Sequence, residues 1–537
     1  MISIDQNCHS LWDVLPKLQA LAFRGHEVTH FVEDIDVAFT ATGAGPGSSG
    51  LRLAREQYHR GGIADWGAAL FYSQFLGRLP VDIANWEPYT GMKTSALARR
   101  LDCDVEDLYG EFSVSDNWQL IGPSYVGDTE HHRVIGDLTV AETAGVLREI
   151  LAKARADCLE AFPAPESRRR TAEWFDAEQA LVGQLLEECS AGRLVDVYGK
   201  WLGTHLPGGV DLKMTSSLFA NHADPGRTAL LEVFLADYDR ASGLYNEAVE
   251  EANLGLRPLD TGSGELPFFA TMNYQGHVVR CAARLDGRGI RVGNLSYNLL
   301  PGNKLPLDKM SADGVFALAG KAILLVIQAR IGSAGRELAL PYRGSQYVPA
   351  AHLLAEKLRS ARMLPGQLRP IVRVRFRLLD RMMDVGTVLR LPEHLRWYFS
   401  ADQAPACELA RNHTELARQA RARLESFRDQ AGRSLWQRQA FPRIAEEVDA
   451  LDRRRRELAA KDPKAPDIRE LGKQQKRLEL RLLRELLVRI CHDVQSAEID
   501  YWDSRGALLP WCVALGGREL YNSVISRAEL YREDGAG

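Results

Sequence analysis

Apolar and polar positions along the chain fall into blocks with different periods. About the first 145 residues read as α/β material. Within 31–40 the run Val37-Ala38-Phe39-Thr40 is β-prone, and it leads into a glycine-rich stretch from Gly43 to Gly50. Leu51, Leu53 and Ala54, before Tyr58, suggest a helix next. Residues 140–200 carry the 3.6-residue period of amphipathic helices, interrupted by Phe162-Pro163-Ala164-Pro165. Leu230, Val233, Phe234, Tyr238 and Tyr245 predict one long helix over 228–252, with Asp224-Pro225-Gly226 before its start. Residues 266–298 read as a β-meander, with turns at Asn273-Tyr274-Gln275-Gly276 and at Asp286-Gly287-Arg288-Gly289. A mostly buried helix is expected over 312–330, then a strand at Leu338-Ala339-Leu340 and a helix over 350–360. From Pro370 the alternation marks a strand with Arg373, Arg375 and Arg377 on one face, either a basic wall or the wet face of an edge strand.

From about 405 to 500 the chain is rich in Ala, Leu, Arg, Glu and Gln. Ile444, Val448, Leu451 and Leu458 form an a/d-type stripe interrupted by Arg455. The stripe resumes after Lys461-Asp462-Pro463-Lys464-Ala465-Pro466 as Ile468, Leu471, Leu478 and Leu482, with Gln475 interrupting. Two such helices around a proline-containing turn predict an antiparallel hairpin, an element that usually docks on something else. Arg453 to Arg456 reads as a solvated helix face. Around Leu508-Leu509-Pro510-Trp511 the chain becomes globular again and is expected to fold back on the main body.

Length and composition narrow the class. A chain of 537 residues suggests about two to four domains. Its 45% hydrophobic and 26% charged content is that of a soluble globular protein, and a formal charge of −4 gives no electrostatic case for nucleic acid. The longest apolar candidate, 315–331, is broken by Lys321, Gln328 and Arg330, short of the roughly 18 uninterrupted residues of a membrane span. No secretory signal is visible, and the eight scattered cysteines have no Cys-x-x-Cys pair. Reduced thiols in a cytoplasmic protein are expected.

Candidate chemistry concentrates at 121–132. There the apolar run ending in Tyr125-Val126 gives way at Gly127 to Asp128, Glu130, His131 and His132. Loops at the carboxyl ends of strands are where open α/β sheets bind ligands. Two carboxylates and two imidazoles can move protons or grip a polar substrate; the same residues can also form a wet loop. Neighbouring histidines on a strand face opposite ways, which argues against a shared metal. The 43–50 loop has the order strand, glycine loop, helix that cradles phosphate. It lacks a Lys-Ser/Thr pair, and Pro46 removes one donor.

Several motifs in order carry a family resemblance. They are Tyr89-Thr90-Gly91-Met92-Lys93 before a helix, Thr129-Glu130-His131-His132 and Arg343-Gly344-Ser345-Gln346-Tyr347 followed by His352. The helical hairpin and Tyr521-Asn522 complete the series. Together they resemble the bacillithiol-pathway cysteine-adding enzymes, also called putative cysteine ligases. The family's glycine-glutamine-rich loop before the Tyr-Thr motif is not recognisable, and Gln346 stands where its turn has glutamate. The resemblance implies a Rossmann-like core with appended mixed α+β regions and a C-terminal coiled-coil hairpin that supports a homodimer. On that basis 1–200 and 311–403 make the core and 201–310 a connecting helix and meander. Residues 404–500 make the hairpin, and 501–537 dock on the core.

The implied reaction joins cysteine, or another amino acid, to a small polar amine, with ATP or ADP as the expected nucleotide and no metal. His131 or Glu130 would be the base and Asp128 would orient an imidazole. Tyr89, Lys93, His132, Arg343, Gln346 and Tyr347 would contact substrate, Lys93 as an anion clamp. Two alternatives stand beside it: a non-catalytic interaction protein with a decayed core, and a ligase of specialised metabolism using a different amino acid.

Overall fold

A computed structural model describes residues 1–4, 11–39, 50–57, 86–254, 256–287, 289–332, 336–345, 347–503 and 508–533. The fold is mixed α/β, organised on a six-stranded sheet. Parallel strands run in the order Ile371–Arg375, Leu338–Pro341, Ile2–Ile4, Val28–Val32, Val210–Met214, and Glu529–Glu533 adds antiparallel outside Ile371–Arg375. The period of two sends successive side chains to two cores. Ile2, Ile4, Phe31, Leu338, Leu340 and Ile371 join the core under the helices Ile323–Arg330 and Val348–Ser360. Val28, Val32, Ala339, Val372 and Val374 face the helices Leu11–Phe23, Val140–Ala161, Pro165–Glu188 and Leu194–His205. Strands covered on both faces need no polar alternation, and every position of Ile2–Ile4 and Val28–Val32 is buried.

A second sheet is antiparallel. Its strands are Leu295–Asn298, Gly289–Val292, His277–Asp286, Glu265–Tyr274 and Val315–Gly320, in that order, and the short strand His132–Arg133 pairs with His277–Asp286. The expected meander is present, with both its turns.

Four expectations are corrected. The single helix over 312–330 is instead the strand Val315–Gly320 followed by the helix Ile323–Arg330. That helix is buried on every side, so its apolar run carried no period to separate it from the strand. At the junction a Cβ on Gly320 would lie 2.5 Å from Leu324 Cβ, so only glycine lets the chain fold back there. The long helix over 228–252 breaks at Asp237 (φ −144°, ψ 72°), whose side chain accepts from Arg240 N–H and caps the second half, Tyr238–Ala252. Residues after the glycine stretch form the strand Arg52–Gln57, paired with Val114–Ile121, not a helix. Val37 makes only an isolated bridge to Val134, the true strand being Val28–Val32.

The arginine strand is also not an edge, since Ile371–Arg375 is paired on both sides and Arg373 is buried. Arg377 lies beyond it in a left-handed conformation. In the 405–500 block, Pro442–Lys461 packs along Asp467–Ala497 across 462–466. Leu483, Leu486 and Leu487 of the longer helix are buried against Ala420, Leu424 and Phe427, whereas Pro442–Lys461 has no buried side chain. The helix Leu508–Ser526 docks on the core that faces Leu11–Phe23 and Val140–Ala161 through Leu508, Leu509 and Trp511. Among the described residues no helix is long and apolar enough to cross a membrane.

Candidate functional site

The 126–131 loop is closed by its own backbone. Val126 N–H donates to His131 O (2.9 Å), Arg133 N–H donates to Ser124 O (2.9 Å), and Gly127 takes φ +77°. It does not end a strand of the parallel sheet, as the sequence suggested. It follows the ribbon strand Val114–Ile121 and seats against the meander through His132–Arg133.

Within the loop Asp128 Oδ1 accepts from Glu130 N–H and from His131 Nδ1, both at 2.8 Å. An ionised carboxylate can only accept, so Nδ1 carries a proton, which in the neutral form of the ring leaves the lone pair on Nε2. The bond from His131 holds the Asp128 carboxyl below its usual range. The His131 ring is only 1% exposed and lies flat on Tyr274, with centroids 3.8 Å apart and planes 6° from parallel. Its Nε2 is buried without a hydrogen-bond partner.

Nε2 faces Gly293, in the turn between Gly289–Val292 and Leu295–Asn298, at φ +54°. A Cβ there would come within 2.8 Å of Nε2 and 3.4 Å of Cys281 Sγ, so glycine is required by both backbone and space. Burial pushes the Cys281 thiol up to about 12, which leaves it a neutral neighbour and not a nucleophile.

Gly293 also lines a cavity of about 150 Å³, together with Thr129, Glu130, His132, Ala282, Arg284 and Arg291 but not His131. Arg284 and Arg291 stand directly opposite each other on neighbouring strands. Among the described residues neither they nor Glu130 forms an ion pair. The volume is well below the roughly 300–1,000 Å³ of drug-sized sites, so it admits a small polar fragment, not a whole nucleotide. His132 lines the cavity and packs on Tyr125, ring centroids 4.6 Å apart. The two histidines thus face opposite ways, as their adjacency required.

Five residues on, the chain is locked in place. Asp137 accepts from Arg133 Nε (2.7 Å), His277 Nδ1 (2.9 Å), Val278 N–H (2.9 Å) and Arg193 Nη1 (3.4 Å). Arg133 also reaches Glu142 (3.1 Å). These bonds tie the strand carrying His132 to the meander and to two helices.

The other sequence-predicted residues lie elsewhere. Tyr89 packs with the 97–112 and 483–491 apolar cluster, under Arg428. Lys93 is exposed and paired with Glu87 (2.7 Å). Both sit beside a separate cavity of about 280 Å³, whose lining includes Thr90, Met92, Arg100, Arg433 and Arg438. Arg343 pairs with Glu498 and with Asp500 (3.0 Å), and Tyr347 precedes the helix Val348–Ser360. Gln346 and most of the Gly43–Gly50 loop lie outside the described residues.

Tyr274, Arg284, Arg291 and Gly293 were missed. The Asp286–Gly289 turn held the signal for two of them, since a two-residue loop pairs 286 with 289 and therefore 284 with 291. Among the described residues no group of three or more His, Cys, Asp or Glu is placed to hold a metal. Comparison with family models, curated proteins and solved structures found no match.

Proposed function

We propose that the protein is a carbon–nitrogen bond-forming, ligase-like enzyme that joins an amino acid, cysteine first among them, to a small polar amine. The cavity beside His131 carries this reading. Its two unpaired guanidiniums suit an α-carboxylate and its Glu130 suits an α-ammonium, which is the charge pattern of a free amino acid. His131 Nε2, set behind Gly293 and not on the cavity wall, is the base, and it takes the proton of the attacking amine through a water or a movement of the 126–131 loop. Asp128 holds the ring in the right tautomer and stabilises the imidazolium that results. Condensation in water is not driven far forward, so an activated acyl donor or ATP supplies the driving force.

The parallel sheet supports the reading in a second way. Ile2–Ile4 connects outward to Val28–Val32 and Leu338–Pro341 connects the other way to Ile371–Arg375. In a Rossmann-like core, ligands bind above such a divergence, and Arg343 and Tyr347 follow Leu338–Pro341 there. Pro442–Lys461 and Asp467–Ala497 then form the coiled-coil hairpin that joins two copies in a homodimer, a cytoplasmic one.

Incubating the protein with cysteine, ATP and candidate amines, then searching by mass spectrometry for a cysteinyl adduct, tests the reaction. Wild type forms the adduct, and His131→Ala and Arg291→Ala lose it. An adduct that survives in both variants, or none with any amino acid, overturns the assignment. Turnover with another amino acid moves it to a related ligase. Burial of His131 under Tyr274 favours a second reading, an assembly protein in which the pair is only structural. There His131→Ala lowers the unfolding midpoint and no turnover exists to lose.

A further inference from the structure

The sheet face that carries Ile371 and Arg373 lies under the helices Ile323–Arg330 and Val348–Ser360. Arg330 ends the first of these and is 0% exposed. Its Nε donates to Arg369 O (2.5 Å), but neither Nη1 nor Nη2 has a hydrogen-bond partner. Burial pushes its pKa down to about 10, so it stays charged at neutral pH. A guanidinium presents its donors as a planar fork, and both tines of this one are idle.

The surroundings add positive charge. Arg373, 7% exposed, and Arg359 both bear on Arg330. His352, on the overlying helix, has a buried Nε2 without a partner and feels both Arg330 and Arg373. Among the described residues the acid that bears on Arg330 is Glu533. One of its oxygens accepts from Arg373 Nε (3.1 Å), and the other is buried and unpartnered. Arg373 spends its Nη1 on the carbonyls of Pro341 (3.3 Å) and Gly344. Among the described residues the buried side-chain atoms left without a partner here are Nη1 and Nη2 of Arg330, both donors, and Nε2 of His352, a donor in one of its two neutral tautomers.

We infer that Arg330, His352 and Arg373 form a buried binding site for a small oxyanion, a phosphate or a carboxylate, received by the idle fork of Arg330. In a phosphate two oxygens match Nη1 and Nη2 and a third is set toward His352 Nε2, whereas a carboxylate engages the Arg330 fork alone. The site is built from the helix ends and the arginine strand, and shares no residue with the His131 cavity.

Thermal unfolding of the full chain in rising inorganic phosphate, and separately acetate, is the test, with chloride matching ionic strength. Wild type shows a saturable rise in Tm with at least one of the two anions, and the stronger one names the class. Arg330→Met weakens that binding about 100-fold, the scale of removing one partner of a buried charged pair. Glu533→Gln changes a half-exposed side chain on the outer strand and removes the competing carboxylate, so it tightens binding several-fold. It decides the question if Arg330→Met does not fold. No saturable shift in wild type, an equal shift in Arg330→Met, or unchanged or weaker binding in Glu533→Gln overturns the site.

Discussion

Asp128 and Asp137 lie nine positions apart in one segment, and each bonds a histidine, yet they are opposite kinds of residue. Asp137 is fully buried and saturated by Arg133, Arg193, His277 and the Val278 N–H. Asp128 has its side chain 51% exposed and holds only His131 and the turn around it. A saturated buried carboxylate spends all its bonding on the fold. A half-exposed one that fixes an imidazole leaves the far nitrogen with capacity to act. On the proposed reading, the difference separates a structural clamp from the support of a base within one strand and loop.

The contrast breaks first at Asp137. Asp137→Ala removes the buried acceptor shared by Arg133, His277 and the Val278 N–H, leaving Arg133 with Glu142 alone, and is expected to cost about 3–5 kcal/mol in urea unfolding. Burial raises the Asp137 carboxyl, but Val278, His277 and Arg133 outweigh it and leave the pKa lowered. A lowered carboxylate contributes stability that is complete above its unfolded value, near about 3.9, and fades as pH falls through the folded value. Acid unfolding of wild type below about pH 4 should therefore be steeper than that of Asp137→Asn. An Asp128→Ala loss as large as that of Asp137→Ala would erase the distinction.

Next in size is the effect on chemistry. His131→Ala and Asp128→Asn should each lower turnover by about 10²–10⁴-fold, while Asp128→Asn leaves the unfolding midpoint almost unchanged. Equal losses of turnover and stability would make the pair structural. Gly293→Ala should then cost about 1–3 kcal/mol and displace His131 from Tyr274, visible as a shifted imidazole resonance in NMR. An undisturbed His131 signal would show that Gly293 does not wall the base.

The smallest change is a gain. Burial, followed by Asp36 and Asp34, raises the Glu33 carboxyl well above its usual range, while its Oε1 accepts from the N–H groups of Ile35 and Asp36. A raised carboxyl contributes stability below its unfolded pKa, near about 4.3, and loses it as pH rises through the folded value. Glu33→Gln keeps the acceptor and sheds the charge. It should raise stability at pH 7 by about 1–2 kcal/mol, with no advantage left below about pH 4. An unfolding midpoint at pH 7 no higher than wild type would contradict this.

The sequence by itself determined the elements whose period is local. The meander and its turns, the helices of 140–200 and 405–500, and the Val348–Ser360 helix were all legible, because alternation and 3.6-residue spacing are written in neighbouring residues. It also marked 127–132 as chemically dense. Burial on all sides removes that period, which is why Val315–Gly320 and Ile323–Arg330 merged into one expected helix. The tertiary structure alone decided what surrounds His131. Tyr274, Cys281, Arg284, Arg291 and Gly293 lie more than a hundred positions away, and no spacing rule reaches across that distance. It likewise decided that Arg373 is interior, since the strand that covers it comes from the end of the chain. Local periodicity selects elements, but only the packing of distant ones sets which charges are satisfied and which are left to act.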